Sequence, residues 1–262
     1  MHTFSYGMPS LGIVVPAYSP NVQVLVEYLQ SLRETLDPER LHVELDGGRT
    51  ETVERVRDAG ATVNNAYRRR GKGAAITAGF EALETDVLAF ADADGSTGAD
   101  SLGDVVAAVV DGGADLAVGS RRHPDAEVTS HQTFARRFLG DGFAWLAGNL
   151  LAVDLYDYQC GAKALTAGAW QRVRDHLHEP GFAWDVELVA MAGALGLRVA
   201  EVPLVWEDKP GSTVSVVRTP VELLETLVAA RHRAKRLEDS RLHEAIAARR
   251  QESAALVERN HE

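Results

Sequence analysis

Apolar and polar positions follow two rhythms over the first 120 residues. Short apolar runs alternate with stretches whose apolar residues return every three or four positions. The runs are Leu11-Gly12-Ile13-Val14-Val15, Leu41-His42-Val43-Glu44-Leu45, Ala61-Thr62-Val63, Asp86-Val87-Leu88-Ala89-Phe90-Ala91 and Ala114-Asp115-Leu116-Ala117-Val118-Gly119. Each reads as a strand. Between them, Val22 to Leu36 has helical spacing at Val22, Leu25, Val26, Leu29 and Leu32. Thr50 to Ala59, Lys72 to Leu83 and Leu102 to Val110 read as further helices. This alternation predicts an α/β fold, a mostly parallel central sheet with helices on both faces. Ligands of such sheets bind at the carboxyl ends of the strands. Pro16, Asp46, Asp92 and Ser120 each follow a predicted strand, so one sheet edge collects polar and turn-forming residues.

The second half is less regular. Phe134 to Val153 reads as an amphipathic helix, and Gln171 to Leu177 and Val186 to Leu195 as helices. Arg198 to Trp206 is strand-like, with Pro203 marking an edge or bulge. Thr219 to about Arg250 reads as a long helix or a pair of helices. The expected organisation is one domain over residues 1–218 and a helical extension over 219–262.

Composition narrows the classes. The chain is 45% apolar and 25% charged, which is ordinary for a protein with a sizeable core. Its formal charge of −11 argues against general nucleic-acid binding, which needs basic surface. Lysine occurs only at Lys72, Lys163, Lys209 and Lys235, a bias that fits a salt-adapted or a GC-rich source equally. No charge-free apolar run reaches the roughly eighteen residues of a spanning helix, and the start lacks the pattern of a secretory leader. Cys160 is the only cysteine, which fits a reducing, cytoplasmic setting.

Candidate chemistry concentrates at the predicted strand ends. In Asp92-Ala93-Asp94 alternate residues point the same way, so both carboxylates can share a face. Such a pair repels unless a cation lies between its members, and Mg²⁺ or Mn²⁺ suits hard oxygen donors completed by diphosphate. The same tripeptide, followed by Gly95 and Ser96, also reads as a polar turn. Asp46-Gly47-Gly48 offers an acceptor for a base imide, or simply a turn. Arg68-Arg69-Arg70-Gly71-Lys72-Gly73 precedes a helix start, a place that attracts phosphate, or is a solvated basic turn. Arg121-Arg122 and Arg136-Arg137 suggest a second anion, or pair with local acids. In Phe182-Ala183-Trp184-Asp185-Val186-Glu187-Leu188 the aromatic residues could wall a sugar site with Glu187 on its hydroxyls; the acids also suit a first helical turn. The nine histidines lack metal-ligand spacing, and there is no Gly-x-Ser-x-Gly.

Taken in order, these segments resemble glycosyltransferase family 2 and its GT-A (Rossmann-like) fold. Val15-Pro16-Ala17-Tyr18 is similar to the family's opening motif, Leu45-Asp46-Gly47-Gly48-Arg49-Thr50 to its Asp-Asp-Gly-Ser turn, and Gly71-Lys72-Gly73-Ala74-Ala75 to its Gly-Lys-Gly segment. Asp92-Ala93-Asp94 sits where its Asp-x-Asp motif belongs. Asp157 to Ala164, Phe182 to Leu188 and Glu201 to Trp206, with Gly211-Ser212 following, resemble the subgroup that glycosylates dolichyl or polyprenyl phosphate. Ser19-Pro20 replaces the family's Asn-Glu, and Gly47-Gly48 shifts the Asp-Gly-Ser pattern.

The resemblance implies an inverting, metal-dependent hexosyltransferase using UDP-glucose or GDP-mannose. Pro16, Tyr18, Asp46, Lys72 and Lys209 would hold the nucleotide sugar, and Asp92 and Asp94 the metal and diphosphate. Arg121 and Arg137 would face phosphate, and Glu187 would help place the sugar. A lipid phosphate is already ionised near neutral pH, so it attacks without a strong general base. A lipid acceptor also requires peripheral contact with a membrane, expected on its cytoplasmic face. Phe134, Phe138, Phe143, Trp145, Leu146, Leu150 and Leu151 offer an interfacial face, and Arg231-His232-Arg233-Ala234-Lys235-Arg236 a basic patch; the other readings are a core helix and a solvated helix end. Competing functions are transfer to a soluble or polysaccharide acceptor and a non-catalytic nucleotide-sugar-binding subunit.

Overall fold

Five apolar runs of the first half form strands, and side-chain alternation along them builds the layers. The computed structural model describes residues 9–129, 134–207, 220–237 and 254–259; side chains of 134–141, 207 and 220–223 lie outside that description. Strands β1 (Leu11–Tyr18), β2 (Arg40–Asp46), β3 (Thr62–Ala66), β4 (Val87–Ala91) and β5 (Leu116–Ser120) alternate with helices α1 (Val22–Leu36), α2 (Thr50–Asp58), α3 (Lys72–Glu81) and α4 (Ala99–Val110). There follow β6 (Glu127–Thr129), α5 (Phe134–Leu150), β7 (Ala162–Thr166), α6 (Ala167–Val173), a 3₁₀ turn over Arg174–His176 and α7 (Trp184–Ala194). The remainder is β8 (Val199–Pro203), β9 (Val205–Glu207), α8 (Pro220–Leu237) and α9 (Leu256–Arg259).

Seven strands make one sheet in the order β3-β2-β1-β4-β7-β5-β8, and β6 and β9 pair separately. Ile13, Val15, Val43, Ala89 and Ala117 point to one face, where α1, α2 and α4 cover them with Leu25, Leu29, Val53, Val56, Leu102 and Val105. Val14, Leu88, Phe90, Val118 and Leu165 point to the other, under Ile76 and Phe80 of α3, Trp170 of α6 and Trp184 of α7. Leu227, Ala230 and Ala234 of α8 and Leu256 of α9 join that second cluster.

Connections leave β1 toward β2 and return from β3 to β4 on its other side, so the strand order reverses between β1 and β4. A crevice opens at the carboxyl ends of strands where such a reversal occurs. Beyond Val14 only β2 still pairs with β1, and Pro16, which lacks a ladder donor, lies in that stretch. Pro16 and Tyr18 therefore belong to β1 and do not follow it.

Two elements depart from the expected pattern. β7 was not expected, and it runs antiparallel between β4 and β5, so the sheet is mixed at its centre. Ala162 pairs with Ala91, which brings the preceding residues 157–161 to the edge that carries Asp92. The expected strand over 198–206 divides at Pro203-Leu204: β8 joins β5, and β9 leaves for β6. α4 begins one turn earlier than expected, and α6 lies mostly before Gln171.

The expected interfacial face of α5 is turned inward. Phe143, Leu146, Leu150 and Leu151 pack against the core, and of the seven named residues Trp145 is the exposed one with a described side chain, at 71%. Phe134 and Phe138 have side chains outside the description. The basic run on α8 is also engaged: Arg231 donates to the Leu150 carbonyl at 2.7 Å, and Arg233 pairs with Glu187 at 2.5 Å. No helix among the described residues is long and apolar enough to cross a membrane.

Candidate active site at the carboxyl edge of the sheet

Asp92 leaves β4 at the point of strand reversal. Its N–H donates to the Gly161 carbonyl at 3.0 Å, which ties it to the start of β7. A Cβ at Gly161 would collide with the Asp92 carboxylate, so this close approach requires glycine. Asp94 is two residues on, and its Oδ1 accepts the Ser96 N–H at 2.9 Å, which closes a local turn just past the strand end. Both readings of the tripeptide thus hold together: it is a turn, and it presents two carboxylates at the switch point.

Lys72 comes to the same place from α3. Its Nζ lies 2.9 Å from Asp92 Oδ1 and 3.1 Å from Asp185 Oδ2. Trp184 packs edge-on to Phe90 of β4, with ring centroids 5.7 Å apart, and so delivers Asp185 at the head of α7. Behind Asp185, Lys163 of β7 donates to Asp185 Oδ1 at 2.7 Å and to the carbonyls of Cys160 at 2.8 Å and Tyr158 at 3.2 Å. Lys163 is fully buried, and these three acceptors match its three N–H donors. Burial holds the Asp92 carboxyl above the usual carboxylate range; Lys72 opposes that, while Asp94 and Asp185 add to it. Lys72 is held above its usual range because Asp185 and Asp92 outweigh its burial.

The start of α3 differs from an open anion site. The N–H groups of Gly73 and Ala74 donate to the carbonyls of Gly181 and Pro180 at 3.2 and 3.1 Å. Gly71 has φ +104°, and a Cβ there would strike the Pro180 carbonyl. Two donors that a phosphate would need are therefore taken, and Lys72 turns inward to carboxylates.

Asp46, at the end of β2, is 3% exposed. Its Oδ2 accepts the N–H groups of Arg70 and Gly71 at 2.7 and 3.3 Å, and its Oδ1 accepts Arg70 Nε at 2.8 Å. Arg70 also reaches Glu44 at 2.6 Å, and Glu44 meets His42 at 2.9 Å and Asn64 at 2.9 Å. Asp46 thus ties β2 to the entry of α3. At the lip of the cleft, Arg69 lies 4.3 Å from the Tyr18 ring centroid, and Tyr18 is half exposed.

Arg121 follows β5 and grips Asp157 with two bonds, 2.7 Å from Nε and 3.1 Å from an Nη. Glu201 of β8 fixes that loop by accepting the N–H groups of Asp157 and Tyr156 at 2.9 and 3.0 Å. Arg121 lies 5.9 Å from the Trp206 ring centroid. Asp157 is buried, which favours its neutral form, yet the Arg121 guanidinium beside it holds its carboxyl below the usual carboxylate range. The pair's stabilisation is therefore present above the ordinary aspartate pKa of about 3.9 and is lost as pH falls through the depressed folded value. The stability gap between the wild type and Asp157→Asn should stay level from about pH 8 to 5 and narrow below about pH 4. Urea unfolding across that range checks this; a gap that persists to acid unfolding would assign the stabilisation to something else.

The structure thus brings Asp92, Asp94 and Lys72 together, with Pro16 and Tyr18 on the adjoining strand. Glu187 is elsewhere. It is fully buried, accepts the N–H groups of His178 and Glu179 at 2.8 and 2.7 Å, and pairs with Arg233. This set of partners binds α7 to α8 and the 178–179 loop, in place of the sugar contact expected from sequence. Arg137 lies on α5 with its side chain outside the description, and Lys209 lies outside the described residues. Asp157, Lys163, Asp185 and Gly161 were not among the expected site residues.

The mixed seven-stranded sheet, with Asp92 and Asp94 at its switch point, is that of the GT-A glycosyltransferase fold, as the family and structural matches show. The model of glycosyl transferase family 2 matches residues 12–150, and the chain belongs to that family. It is 33% identical over 220 residues to glycosyltransferase AglD of Haloferax volcanii, a match covering 79% of this chain and 35% of that one. It is 35% identical over 154 residues to the dolichyl-phosphate beta-glucosyltransferase of Mus musculus, covering 55% and 46%. The chain therefore spans less than half the length of these two relatives. Among solved structures, glucosyl-3-phosphoglycerate synthase from Mycobacterium tuberculosis, in complex with Mn²⁺, UDP and glucosyl-3-phosphoglycerate, superposes with a TM-score of 0.63 at 17% identity, covering 85% of this chain and 80% of that one.

Proposed function

We propose that the protein transfers a hexose from a nucleotide sugar, UDP-glucose or GDP-mannose, to a polyprenyl or dolichyl phosphate. The observation that carries this reading is the pairing of two edges: Asp92 and Asp94 at the switch point, and Arg121 beyond β5 on the same side of the sheet. The names of the curated relatives support the lipid phosphate as acceptor.

The donor set suits Mg²⁺ or Mn²⁺. Asp92 and Asp94 supply hard oxygens, and no third His, Cys, Asp or Glu joins them among the described residues, so diphosphate oxygens would complete the shell. Bound there, the ion would neutralise the charge of the leaving diphosphate. Asp46 and Tyr18 would flank the nucleotide. Lys72 has three N–H donors and gives two to Asp92 and Asp185, which leaves one for a donor phosphate. Arg121 gives two of five donors to Asp157, which leaves a fork for the acceptor phosphate. Arg137 and Lys209 are further phosphate-facing candidates.

An oxygen of the lipid phosphate forms the new bond to the anomeric carbon from the face opposite the leaving group. The bond from that carbon to the diphosphate breaks, and its electron pair leaves with the nucleoside diphosphate. Configuration inverts. Because the acceptor is already an anion, the site needs alignment and charge and no strong base.

Membrane contact is peripheral in this reading. Trp145 on α5 and Leu224 and Val228 on α8 are exposed and could enter the interface. Placement on the cytoplasmic face is consistent with the unpaired Cys160.

The test is a panel of labelled UDP-glucose and GDP-mannose with polyprenyl phosphate or 3-phosphoglycerate, in Mg²⁺ or Mn²⁺. Label is expected in the organic phase with one donor. Label only in phosphoglycerate would replace the lipid acceptor with a soluble one. In the same assay Gly161→Ala, by pushing the Asp92 carboxylate aside, should cut transfer at least about tenfold; unchanged turnover would mean that Asp92's exact position is unimportant.

A further inference from the structure

Asp92, Lys72, Asp185 and Lys163 form a file of alternating charge that runs from the cleft into the centre of the sheet. Its inner end is rigid. Lys163 has zero exposure, and each of its three N–H donors has an acceptor. That fixes Asp185 Oδ1 at 2.7 Å and leaves Oδ2 aimed outward at Lys72. Lys72 in turn holds one oxygen of Asp92, and the backbone at Gly161 closes on the other side of that carboxylate. The rings of Phe90 and Phe182, 5.3 and 6.0 Å away, flank the Lys72 ammonium.

We infer that Asp185 is a positioning residue for the transfer site: anchored by Lys163, it holds Lys72 against Asp92 and so sets where Asp92 points. The inference rests on the proposed transfer reaction for its kinetic consequence, though not for its geometry. Both Asp185 oxygens are taken by ammonium groups, so the residue acts on substrate only through Lys72. The two buried lysines also divide the work. Lys163 is saturated and structural, whereas Lys72 has two acceptors for its three N–H donors among the described residues.

The chain has four lysines, which makes the file directly observable. In ¹⁵N-lysine-labelled protein, Lys72 and Lys163 should give ammonium correlations protected from solvent exchange, with the Lys72 signal assigned by its loss in Lys72→Met. Asp185→Asn retains an oxygen for Lys163 but puts an amide against Lys72. The Lys163 signal should persist and the Lys72 signal should broaden or vanish. Transfer should fall about ten- to a hundredfold in kcat/KM, mostly through kcat, as expected for loss of an orienting partner. Combined with Lys72→Met, Asp185→Asn should cost nothing further. A merely structural Asp185 would lower stability while leaving the Lys72 signal in place and multiplying with Lys72→Met. Either of those results overturns the inference, as does an unprotected Lys72 ammonium in the wild type, a readout that needs no folded variant. If the wild type transfers sugar to no acceptor, the proposed function falls while the ammonium signals still judge Asp185.

Discussion

Asp94→Asn is expected to abolish sugar transfer, by at least about a hundredfold, with the fold unchanged. The two halves of this expectation have separate causes. Asp94 is half-buried at the crevice mouth, and its Oδ1 accepts the N–H of Ser96, a bond that an asparagine oxygen can still accept. Removing the charge therefore disturbs little of the turn, and the unfolding free energy should change by no more than about 0.5 kcal/mol, as for surface substitutions. Catalysis is different. The proposed ion needs hard anionic donors, and asparagine offers a neutral one. Circular dichroism and a lipid-transfer assay on the same preparation check both halves. Near-normal turnover in a folded variant would remove Asp94 from the reaction, and with it the metal reading of the motif.

Asp185→Ala is expected to have the largest effect on stability, a loss of about 3–5 kcal/mol. The change strands Lys163, a fully buried ammonium, with two carbonyls and no counter-charge. It also releases one side of Lys72. Breaking a buried pair by deleting one partner costs far more than the pair contributes, because the survivor's desolvation goes uncompensated. Urea unfolding should give a lower midpoint at an unchanged slope. A loss under about 1 kcal/mol would mean that water or another acid reaches Lys163, and the buried file would have to be redrawn.

The parts legible in sequence share one property: their signal is local. Val14 to Val15, Leu88 to Phe90 and Leu116 to Val118 are apolar on both faces, as buried parallel strands must be, so the first half was readable. Asp92 and Asp94 were readable because they follow such a strand. β7 was not, since Ala162-Lys163-Ala164 places a lysine second in the strand, and a charged residue almost never lies fully buried unless paired. Its partner Asp185 is 22 residues away, and Lys72, the other ammonium on Asp185, is 113 residues from it. Pattern alone carries no such pairing. The α5 face shows a related limit. Periodicity identified an apolar stripe, but only packing reveals that Phe143, Leu146 and Leu150 are covered by the protein's own core. The polar ladder His42-Glu44-Asp46 did leave a trace, alternate polar residues in a strand otherwise apolar, which marks one face of β2 as lined for ion pairs.

Glu187 illustrates why residue type alone misassigns roles. Asp185 and Glu187 lie two apart in the first turn of α7, and both are buried. One turns toward the cleft and meets Lys72; the other turns away to Arg233 and the 178–179 backbone. On a helix, residues two apart do not share a face. The site therefore takes one acid from this motif, and the packing of α8 takes the other.

The most direct measurement is the mass spectrum of polyprenyl phosphate after incubation with the protein, Mn²⁺ and the preferred nucleotide sugar. The wild type should form lipid carrying one added hexose through its phosphate, and Asp94→Asn should form none. Lipid recovered unchanged while the donor is consumed would contradict it.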